Sequence, residues 1–277
     1  MEKSFCYFNG QIMPLAEARL PIDDISILRG YGVFDFLRTV NKKPFHLKDH
    51  YERLVNSARV LDLELPIDLE NLKKVLKELI EKNDYQNAGI RMVLTGGQLV
   101  NGINFSKPNF FILTEEWKPL SDELFHQGAK LITCDYCRVL PEAKNTNYLL
   151  AVKKQKEKNE QQALEILYLD QVNILEASTS NFFAIINNEL ITPKENILFG
   201  VTRKIIIQLA KDILSVRENC LPFEEIKNAS ECFITATNKD IVPIVKINEQ
   251  IIGTGVPGFT TKLLMEKYKK YIENYKG

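Results

Sequence analysis

The sequence has no excess of charge of either sign and no long apolar run. Its 277 residues include 36 Lys and Arg and 36 Asp and Glu, so a broad basic surface for nucleic acid is not expected, although a local anion site is compatible with this balance. Runs such as "NFFAII" and "KIIIQLA" are too short to cross a bilayer. The opening "MEKSFCYFNGQIM" lacks the apolar core of a signal peptide. We expect a cytoplasmic protein without nucleic-acid or membrane partners.

Cysteine and histidine are also scarce, with five and three residues. An odd number of cysteines in a chain of this length fits a reducing compartment better than a disulfide framework. Cys134 and Cys137 form a Cys-x-x-Cys pair, but they lie within "KLITCDYCRVL", which is typical of a strand, and no second pair has matching spacing. We therefore predict buried thiols there. His46 and His50 alone are weak evidence for a metal site, and no metal is predicted.

The remaining composition and patterning predict an α+β protein with two domains. The chain is 45% hydrophobic and 26% charged, as in globular proteins. Strand patterns and amphipathic helices are interspersed without the regular alternation of a doubly wound parallel sheet. The segment "EEWKPLSD", which holds the single Trp and a Pro, is the predicted crossing. Residues 1–118 would form a smaller N-terminal domain and residues 119–277 a larger C-terminal domain.

Local signals predict several elements. Asn9-Gly10 is typical of a hairpin turn, and Asp68 is the predicted N-cap of an amphipathic helix. "GVTRKIIIQLA" predicts another helix, capped by Thr202. Glycine at position 200 allows a compact approach to its start, where the backbone N–H groups of Val201 and Thr202 could bind an anion. Taken alone, this segment favours an ordinary capped helix.

Lys144 stands apart from the lysines that crowd residues 153–158. It follows the apolar "RVLP" and an alanine, and it precedes two asparagines and a tyrosine. Lysine side chains are mostly exposed. Without further evidence, Lys144 would be interpreted as one more solvated charge.

Three other regions carry polar residues that could serve a site. Arg53 shares a helix face with two histidines and a serine, and its planar guanidinium suits phosphate. Glu176 precedes small hydroxyl residues that would let a flat ligand approach. Thr237 and Asn238 interrupt two apolar runs at a predicted tight turn. Each feature alone is equally compatible with a wet helix face, a solvated strand end or an ordinary turn.

Together, and in this order, these segments resemble the class IV aminotransferases. These are the fold-type-IV pyridoxal-phosphate enzymes, which include branched-chain aminotransferases, D-amino-acid transaminases and aminodeoxychorismate lyases. The resemblance extends from "YFNG" to "GFTTKLL", and it rests on "RGYGVFDFLRT", "HYERL", "KNTNYLLA", "LEASTSNFF", "ITPKENILFGVTR" and "IVPIV". The combination of E-x-S-x-S-N with L-x-G-[IV]-T-R at this separation is its most specific part.

The resemblance implies a fold, a cofactor and an assembly. The fold would be a smaller N-terminal α/β domain and a larger, cofactor-binding C-terminal domain with a barrel-like mixed sheet. The cofactor would be pyridoxal 5'-phosphate, and the assembly a homodimer. None of these follows from composition or spacing.

The resemblance also implies roles for single residues. Lys144 would bond covalently to the cofactor aldehyde and then carry a proton, and Glu176 would keep the ring nitrogen protonated. The other implied cofactor-binding residues are Arg53, Val201, Thr202 and Thr237 at the phosphate, Leu198 behind the ring and Tyr148 near its hydroxyl. The branched-chain enzymes place that tyrosine one residue further from their lysine. Candidate substrate-binding residues are Phe34, Arg38, Ala236 and Asn238.

The leading functional prediction is transfer of an amino group between an amino acid, first an L-branched-chain one, and a 2-keto acid such as 2-oxoglutarate. Phe34-Asp35 replaces the family's common "FE", which shortens an acidic side chain near the substrate face. The stretch "QLVNGINF" lacks the Arg and His of D-amino-acid transaminases, which disfavours that specificity. Arg38 or Arg91 could bind a second carboxylate. A lyase that releases pyruvate from aminodeoxychorismate, a D-amino-acid transaminase and a non-catalytic relative stay open.

Overall fold

The computed structural model describes residues 4–276 and confirms the predicted α+β class. The protein consists of two compact units. Unit 1 comprises the described residues up to Lys118, the segment Glu142–Asn147 and the described residues from Tyr275 onward; unit 2 comprises Pro119–Pro141 and Tyr148–Asn274. Unit 2 therefore differs from the predicted range 119–277. Segment 142–147, which carries Lys144, belongs to unit 1 because its backbone pairs with a strand of that unit.

Unit 1 is built on a six-stranded antiparallel sheet in the order β2-β1-β8-β5-β3-β4, and a separate hairpin pairs β6 with β7. Its elements are β1 (Phe5–Phe8), β2 (Gln11–Pro14), α1 (Ile25–Arg29), β3 (Gly32–Val40), β4 (Lys43–Pro44), α2 (Leu47–Val60), α3 (Leu69–Asn83), β5 (Ala88–Thr95), β6 (Leu99–Asn101), β7 (Asn104–Phe105) and β8 (Phe110–Glu116).

The alternation of side chains along β3 determines what each face of the sheet carries. Val33 and Leu37 are fully buried in the core that also contains Leu54 of α2. Phe34 and Phe36 point to the opposite face, since successive strand residues alternate, and they are only partly buried. One face of β3 therefore builds the core, and the other presents aromatic rings.

Two local predictions for unit 1 are confirmed. The Asn9-Gly10 turn joins β1 and β2 with φ angles of 45° and 99°, a left-handed conformation that Asn and Gly tolerate best. Asp68 caps α3, because its carboxylate accepts a hydrogen bond from the backbone N–H of Asn71 at 2.8 Å. Both follow from chemistry within a few residues.

Unit 2 is built on a ten-stranded mixed sheet in the order β14-β13-β12-β16-β17-β9-β10-β11-β15, with β18 paired to β17. Six of these strands form the barrel-like sheet that the resemblance implied. The elements are α4 (Asp122–Gln127), β9 (Ala129–Asp135), α5 (Leu149–Lys153), α6 (Gln155–Glu160), β10 (Glu165–Leu169), β11 (Asn173–Ala177), β12 (Asn181–Ile186), β13 (Glu189–Thr192), α7 (Val201–Ala210), β14 (Ser215–Glu218), β15 (Leu221–Pro222), β16 (Ala229–Ala236), β17 (Asp240–Ile247), β18 (Gln250–Ile251) and α8 (Phe259–Glu273).

Two sequence predictions for unit 2 are wrong. Thr202 does not cap α7, because the N-cap residue is Gly200 and Thr202 lies buried in the first turn. Cys134 and Cys137 are not a buried pair. Cys137 lies beyond the end of the strand at Asp135 and is exposed, and Cys134, within the strand, is partly exposed.

Two further observations concern the described part of the chain as a whole. Among its helices, none has both the length and the apolarity needed to cross a membrane. Within residues 4–276, the His, Cys, Asp and Glu side chains form no group of three or more that could hold a metal ion.

Candidate active site

In unit 1, both backbone hydrogen-bonding groups of Lys144 are held by neighbouring residues. Its carbonyl oxygen accepts a hydrogen bond from the backbone N–H of Phe34 on β3 at 2.9 Å. Its own N–H donates to Oγ of Ser57, a fully buried residue of α2, at 3.0 Å. The side chain is partly buried, and its Nζ lies 4.7 Å from the centroid of the Phe34 ring. Lys144 is therefore not one more solvated charge.

Arg53 belongs to a buried charge cluster on the neighbouring turn of α2. Its Nε and Nη2 donate to the two oxygens of the Asp35 carboxylate at 2.7 and 2.8 Å, a bidentate pair. Nδ1 of His50 lies 2.7 Å from the same carboxylate. Asp35 and His50 are fully buried. The guanidinium of Arg53 is thus fixed in orientation by β3.

The cluster determines the charge states of its members. Burial alone would raise the pKa of Asp35, but Arg53 and His50 together hold it well below its usual range. Burial lowers the pKa of His50, and this effect outweighs the opposing influence of the Asp35 carboxylate. Asp35 is therefore ionised and His50 neutral at neutral pH.

Asp35 was expected near the substrate face, and the structure places it elsewhere. Its side chain points from β3 toward α2, on the face opposite to Phe34. The shorter acidic side chain therefore acts on Arg53 and His50. The helix face that carries these residues is also not wet, because His50 and Ser57 are fully buried.

The two candidate arginines for a second carboxylate lie at different points of the aromatic face of the sheet. Arg91, opposite Phe36 in register, has its guanidinium carbon 5.6 Å from the Phe34 ring centroid. Arg38 lies four residues beyond Phe34, about 13 Å along the strand. It is buried, and its guanidinium carbon lies 4.2 Å from the centroid of the Trp117 ring. Arg91 thus shares an aromatic neighbour with the amine of Lys144, whereas Arg38 packs on Trp117.

In unit 2, the buried carboxylate of Glu176 is held by both of its oxygens. Nε of Arg138 donates to Oε1 at 2.7 Å, and the backbone N–H of Leu198 donates to Oε2 at 3.0 Å. Arg138 is itself anchored, because its Nη2 donates to the carbonyl oxygen of Pro141 at 2.7 Å. The cation at this distance stabilises the ionised carboxylate. Glu176 is therefore not a solvated glutamate at a strand end, the alternative that the sequence alone left open.

The two most specific sequence motifs meet at Leu198. Its N–H binds Glu176, and its carbonyl oxygen accepts a hydrogen bond from Nδ2 of Asn181 at 2.7 Å. Asn181 also approaches Gly200 so closely that a Cβ at residue 200 would lie 2.1 Å from its Oδ1. Only glycine fits there. E-x-S-x-S-N and L-x-G-V-T-R are therefore two sides of one contact.

The start of α7 follows directly from this contact. Val201 and Thr202 are buried in the first helical turn, where backbone N–H groups lack partners within the helix. The last residue of the motif has a structural role. Arg203 is buried, donates from Nη2 to the carbonyl oxygen of Pro193 at 2.8 Å and pairs with Glu218 at 2.9 Å, which holds the helix in place.

The predicted tight turn between β16 and β17 lies beside Asn181. Asn181 pairs in register with Thr235, and the backbone N–H of Lys239 donates to the carbonyl oxygen of Ala236 at 3.1 Å, which closes the turn. Thr237 is partly buried and Asn238 is exposed. Unit 2 therefore brings together the candidate residues Glu176, Leu198, Val201, Thr202, Ala236, Thr237 and Asn238.

Comparison with known proteins shows the family. The model of the family "Amino-transferase class IV" matches residues 32–247. The chain belongs to the class IV aminotransferases. A protein of Methanocaldococcus jannaschii, named provisionally as a branched-chain-amino-acid aminotransferase, is 32% identical over 275 residues, 95% of this chain and 94% of its own.

Two other class IV proteins are similar along almost the whole chain. A D-alanine aminotransferase of Staphylococcus haemolyticus is 29% identical, over 97% of this chain and 98% of its own. The crystal structure of a T.th. branched-chain amino acid aminotransferase with pyridoxamine 5'-phosphate is 28% identical, with a TM-score of 0.91, over 98% of this chain and 95% of that one.

The remaining candidate, Tyr148, lies at the start of α5 in unit 2. It is partly buried, and the structure places it near Tyr168, together with Tyr136 and Arg138. Burial, with the neighbouring Tyr136 and Tyr148, raises the pKa of Tyr168 far above its ordinary value, and Arg138 opposes this shift. Tyr148 thus lies in the same part of unit 2 as Arg138, the residue that holds Glu176.

Several residues that hold the candidates are recognisable in that role only from the structure. These are Asp35 and Ser57 in unit 1, and Arg138, Glu165 and Lys239 in unit 2. The sequence marked Asp35 as a departure from the family pattern and Ser57 as the serine on the Arg53 helix face, but not as partners of Arg53 and Lys144. The others are ordinary charged residues whose partners are distant in sequence.

Class IV aminotransferases use pyridoxal phosphate, and the residues of this chain fit that group. Lys144 offers a partly buried amine, and Glu176 offers a buried carboxylate beside Arg138. The first backbone N–H groups of α7, at Val201 and Thr202, are the kind of donors that bind a phosphate. Within the described residues, Oγ1 of Thr235 is buried without a hydrogen-bond partner, a state that a bound ligand would relieve.

Proposed function

We propose that the chain is a pyridoxal-phosphate-dependent aminotransferase that exchanges an amino group between an amino acid and a 2-keto acid, with Lys144 as its covalent lysine. The observation that carries this is the position of Lys144. Both backbone hydrogen-bonding groups are fixed, by Phe34 and by Ser57, while the amine lies over an aromatic ring. A lysine in a solvated loop needs neither constraint.

The amine of Lys144 has two tasks in this proposal. It would bond covalently to the cofactor aldehyde with loss of water. Once the substrate's amine had displaced it from that carbon, the freed amine would serve as the general base and acid that removes the proton from the substrate's α carbon and returns one. Pyridoxal phosphate, when bound, supplies the aldehyde and a ring that accepts electrons from that carbon.

The other cofactor contacts are proposed from the same geometry. Glu176, ionised beside Arg138, would hold a proton at the ring nitrogen. Leu198 would lie against the ring, with Tyr148 at its hydroxyl. The phosphate would be bound by the first backbone N–H groups of α7, at Val201 and Thr202, by Thr237 and by Arg53. Asp35 would aim the guanidinium of Arg53.

The substrate proposal begins with an L-branched-chain amino acid and 2-oxoglutarate. Phe34 and Phe36 give one face of the unit 1 sheet an aromatic surface suited to an apolar side chain. Arg91, next to both rings, is the arginine better placed for the second carboxylate of 2-oxoglutarate. Ala236 and Asn238, at the turn after β16, would bind the substrate's α-carboxylate. Two similar proteins carry the branched-chain name.

Absorbance of the purified protein tests the cofactor proposal. We expect wild-type protein loaded with pyridoxal phosphate to show a band near the visible edge, which Lys144→Ala removes. Transamination should fall by roughly 10²-fold or more, because general acid–base catalysis contributes at least that much. Lys153→Ala, a change at an exposed lysine nine residues away, should alter neither. A colourless wild-type protein that takes up no cofactor would contradict the proposal.

A second candidate is D-amino-acid transamination, which the similarity to a D-alanine aminotransferase favours. Half-reactions with matched L and D enantiomers of leucine, alanine and glutamate distinguish the two. Loss of the cofactor band with L-leucine, and not with D-alanine, supports the leading proposal, and the reverse pattern supports the second. Release of pyruvate from aminodeoxychorismate without keto-acid exchange would identify a lyase instead.

We also propose a homodimer. Two adjoining segments of unit 1 expose large apolar side chains: Ile22 and Ile27 are 87% and 58% exposed, and Val100 and Ile103 are 66% and 76% exposed. The segments are joined by backbone hydrogen bonds, including one from the N–H of Leu99 to the carbonyl oxygen of Asp23. A surface of this kind is typical of a protein interface, and a second copy is the proposed partner.

A further inference from the structure

A fully buried carboxylate lies behind the hydroxyl-rich turn that follows Glu176. Glu165, the first residue of β10, accepts hydrogen bonds from the backbone N–H of Thr179 at 2.7 Å and from Oγ of Ser180 at 2.5 Å. Oγ of Ser178 donates to the same carboxylate at 3.1 Å. Glu165 therefore holds all three residues of the turn 178–180, which lies between Glu176 and Asn181 in the chain.

A lysine from a second turn completes the arrangement. Nζ of Lys239 lies 3.1 Å from Oε1 of Glu165, and it donates to Oγ1 of Thr179 at 2.7 Å. The Lys239 side chain is 11% exposed and that of Glu165 is 4% exposed. Lys239 closes the turn 237–239, which carries Thr237 and Asn238. One ion pair thus connects two turns that are about sixty residues apart in sequence.

The charges of this pair support a tight connection. Burial alone would raise the pKa of Glu165, but Lys239 and the hydrogen bonds from Ser180 and Thr179 hold it below its ordinary value. A buried ion pair often contributes little net stability, because both charges lose their hydration. Loss of one partner, however, leaves an uncompensated charge. The geometry of both turns is therefore sensitive to loss of either Glu165 or Lys239. Net stability alone does not explain why the buried ion pair is present.

We propose that Glu165 and Lys239 are positioning residues, which hold the turns 178–180 and 237–239 in the arrangement needed for cofactor phosphate and substrate carboxylate. The inference rests on the proposed function for its ligands, since Thr237, Ala236 and Asn238 are the proposed contacts. Neither residue touches the reacting atoms in this proposal. Each acts through backbone and hydroxyl groups of its turn.

Hydrogen exchange of the full-length protein tests the coupling without any assumption about activity. Lys239→Met should speed amide exchange in both turns, including Thr179 in the distant one, and Lys239→Arg should restore protection. The matched control is Lys246→Met, which removes a partly buried lysine of β17 that pairs with Glu249 at 2.8 Å. If Lys239→Met alters exchange only in its own turn, the coupling is refuted, whether or not the proposed function is correct.

Ligand binding tests the positioning role. In Lys239→Met, the uncompensated Glu165 carboxylate should weaken binding of pyridoxal phosphate and inorganic phosphate by about tenfold or more, and raise KM for the keto acid more than it lowers kcat. The loss should be greatest at high pH and partly recover as Glu165 takes up a proton, because the cation that opposed protonation is gone. The double variant Lys239→Met/Glu165→Gln should lack this pH dependence.

The outcomes separate the two proposals. Wild-type protein that binds no pyridoxal phosphate contradicts the proposed function, and the exchange experiment still decides the coupling. If wild type binds the cofactor, but Lys239→Met lowers only Tm and leaves both affinities and KM within twofold of wild type, the positioning role is refuted. Failure of Lys239→Arg to restore affinity would refute the role of the positive charge.

Discussion

At the scale of single residues, the structure assigns many conspicuous side chains to holding others. Asp35 fixes Arg53, Arg138 fixes Glu176, and Asn181 fixes the backbone of Leu198. The sequence marks the candidate site residues, such as Arg53 and Glu176, more often than the residues that hold them in place. The candidates occur in short motifs, whereas the residues that hold them are recognisable only by their partners in space. Arg138 illustrates this, because an Arg 38 residues before Glu176 carries no signal in the sequence.

His50 leads to a prediction about pH. Its pKa is lowered in the folded protein, so below the ordinary value of about 6.5 the unfolded chain binds a proton that the folded chain does not. The contribution of His50 to the free energy of unfolding is therefore fully present above that pH and is lost as the pH falls. Replacing His50 by Gln should flatten the fall in urea-unfolding free energy below pH about 6.5.

The control for this prediction is His126→Gln, because His126 is an exposed histidine of unit 2. This variant should keep the wild-type slope. An unchanged slope in His50→Gln, with urea m values equal to those of wild type, would show that His50 does not titrate differently in the folded and unfolded states.

At the scale of elements, periodicity and turn chemistry predicted most helices and strands, because these signals act within a few residues. The hairpin at Asn9-Gly10, with φ angles of 45° and 99°, is one example. Helix starts were harder to predict. A Thr in the first turn of α7 suggested a cap, but the approach of Asn181 to Gly200 determines where the helix begins.

Gly200→Ala tests the importance of this approach. The added Cβ would lie 2.1 Å from Oδ1 of Asn181, so either the amide must move from Leu198 or the start of α7 must shift. We expect pyridoxal phosphate to bind at least about tenfold more weakly, equivalent to about 1.4 kcal/mol, as measured by fluorescence titration.

A double-mutant cycle provides the matching control. In an Asn181→Ala background the clashing oxygen is absent, so Gly200→Ala should cost much less than it does in wild type. Equal losses in the two backgrounds would show that the clash with Asn181 is not the cause.

At the scale of the whole molecule, the chain folds as two units that do not follow sequence order. Segment Glu142–Asn147 belongs to unit 1, and the C-terminal Tyr275 also joins that unit through a hydrogen bond from the backbone N–H of His46 to its hydroxyl, 2.9 Å long. A domain boundary placed near residue 118 from composition cannot anticipate that residues 142–147 belong to unit 1. These six residues belong there because their backbone pairs with β3, and no compositional feature marks that pairing.

The proposed homodimer is testable at this scale. Ile27→Asp and Ile103→Asp introduce charges into the exposed apolar segments of unit 1, where burial without a partner is costly. We expect sedimentation velocity to show a shift from dimer to monomer at micromolar protein. Val172→Asp, at a position 60% exposed in a turn of unit 2, should leave the dimer intact. Wild-type protein that sediments as a monomer would contradict the proposal.

The sequence by itself determined the class of fold, most elements and the family, because periodicity, turn residues and short motifs are local properties of the chain. It also singled out Lys144, Glu176 and the glycine-led start of α7 as candidates. Only the tertiary structure decided what holds them. Lys144 is held by backbone pairing with β3 and by Ser57, and the backbone of Leu198 is held by hydrogen bonds to Glu176 and Asn181. These contacts join residues tens of positions apart, and their energies depend on burial, which no local pattern encodes.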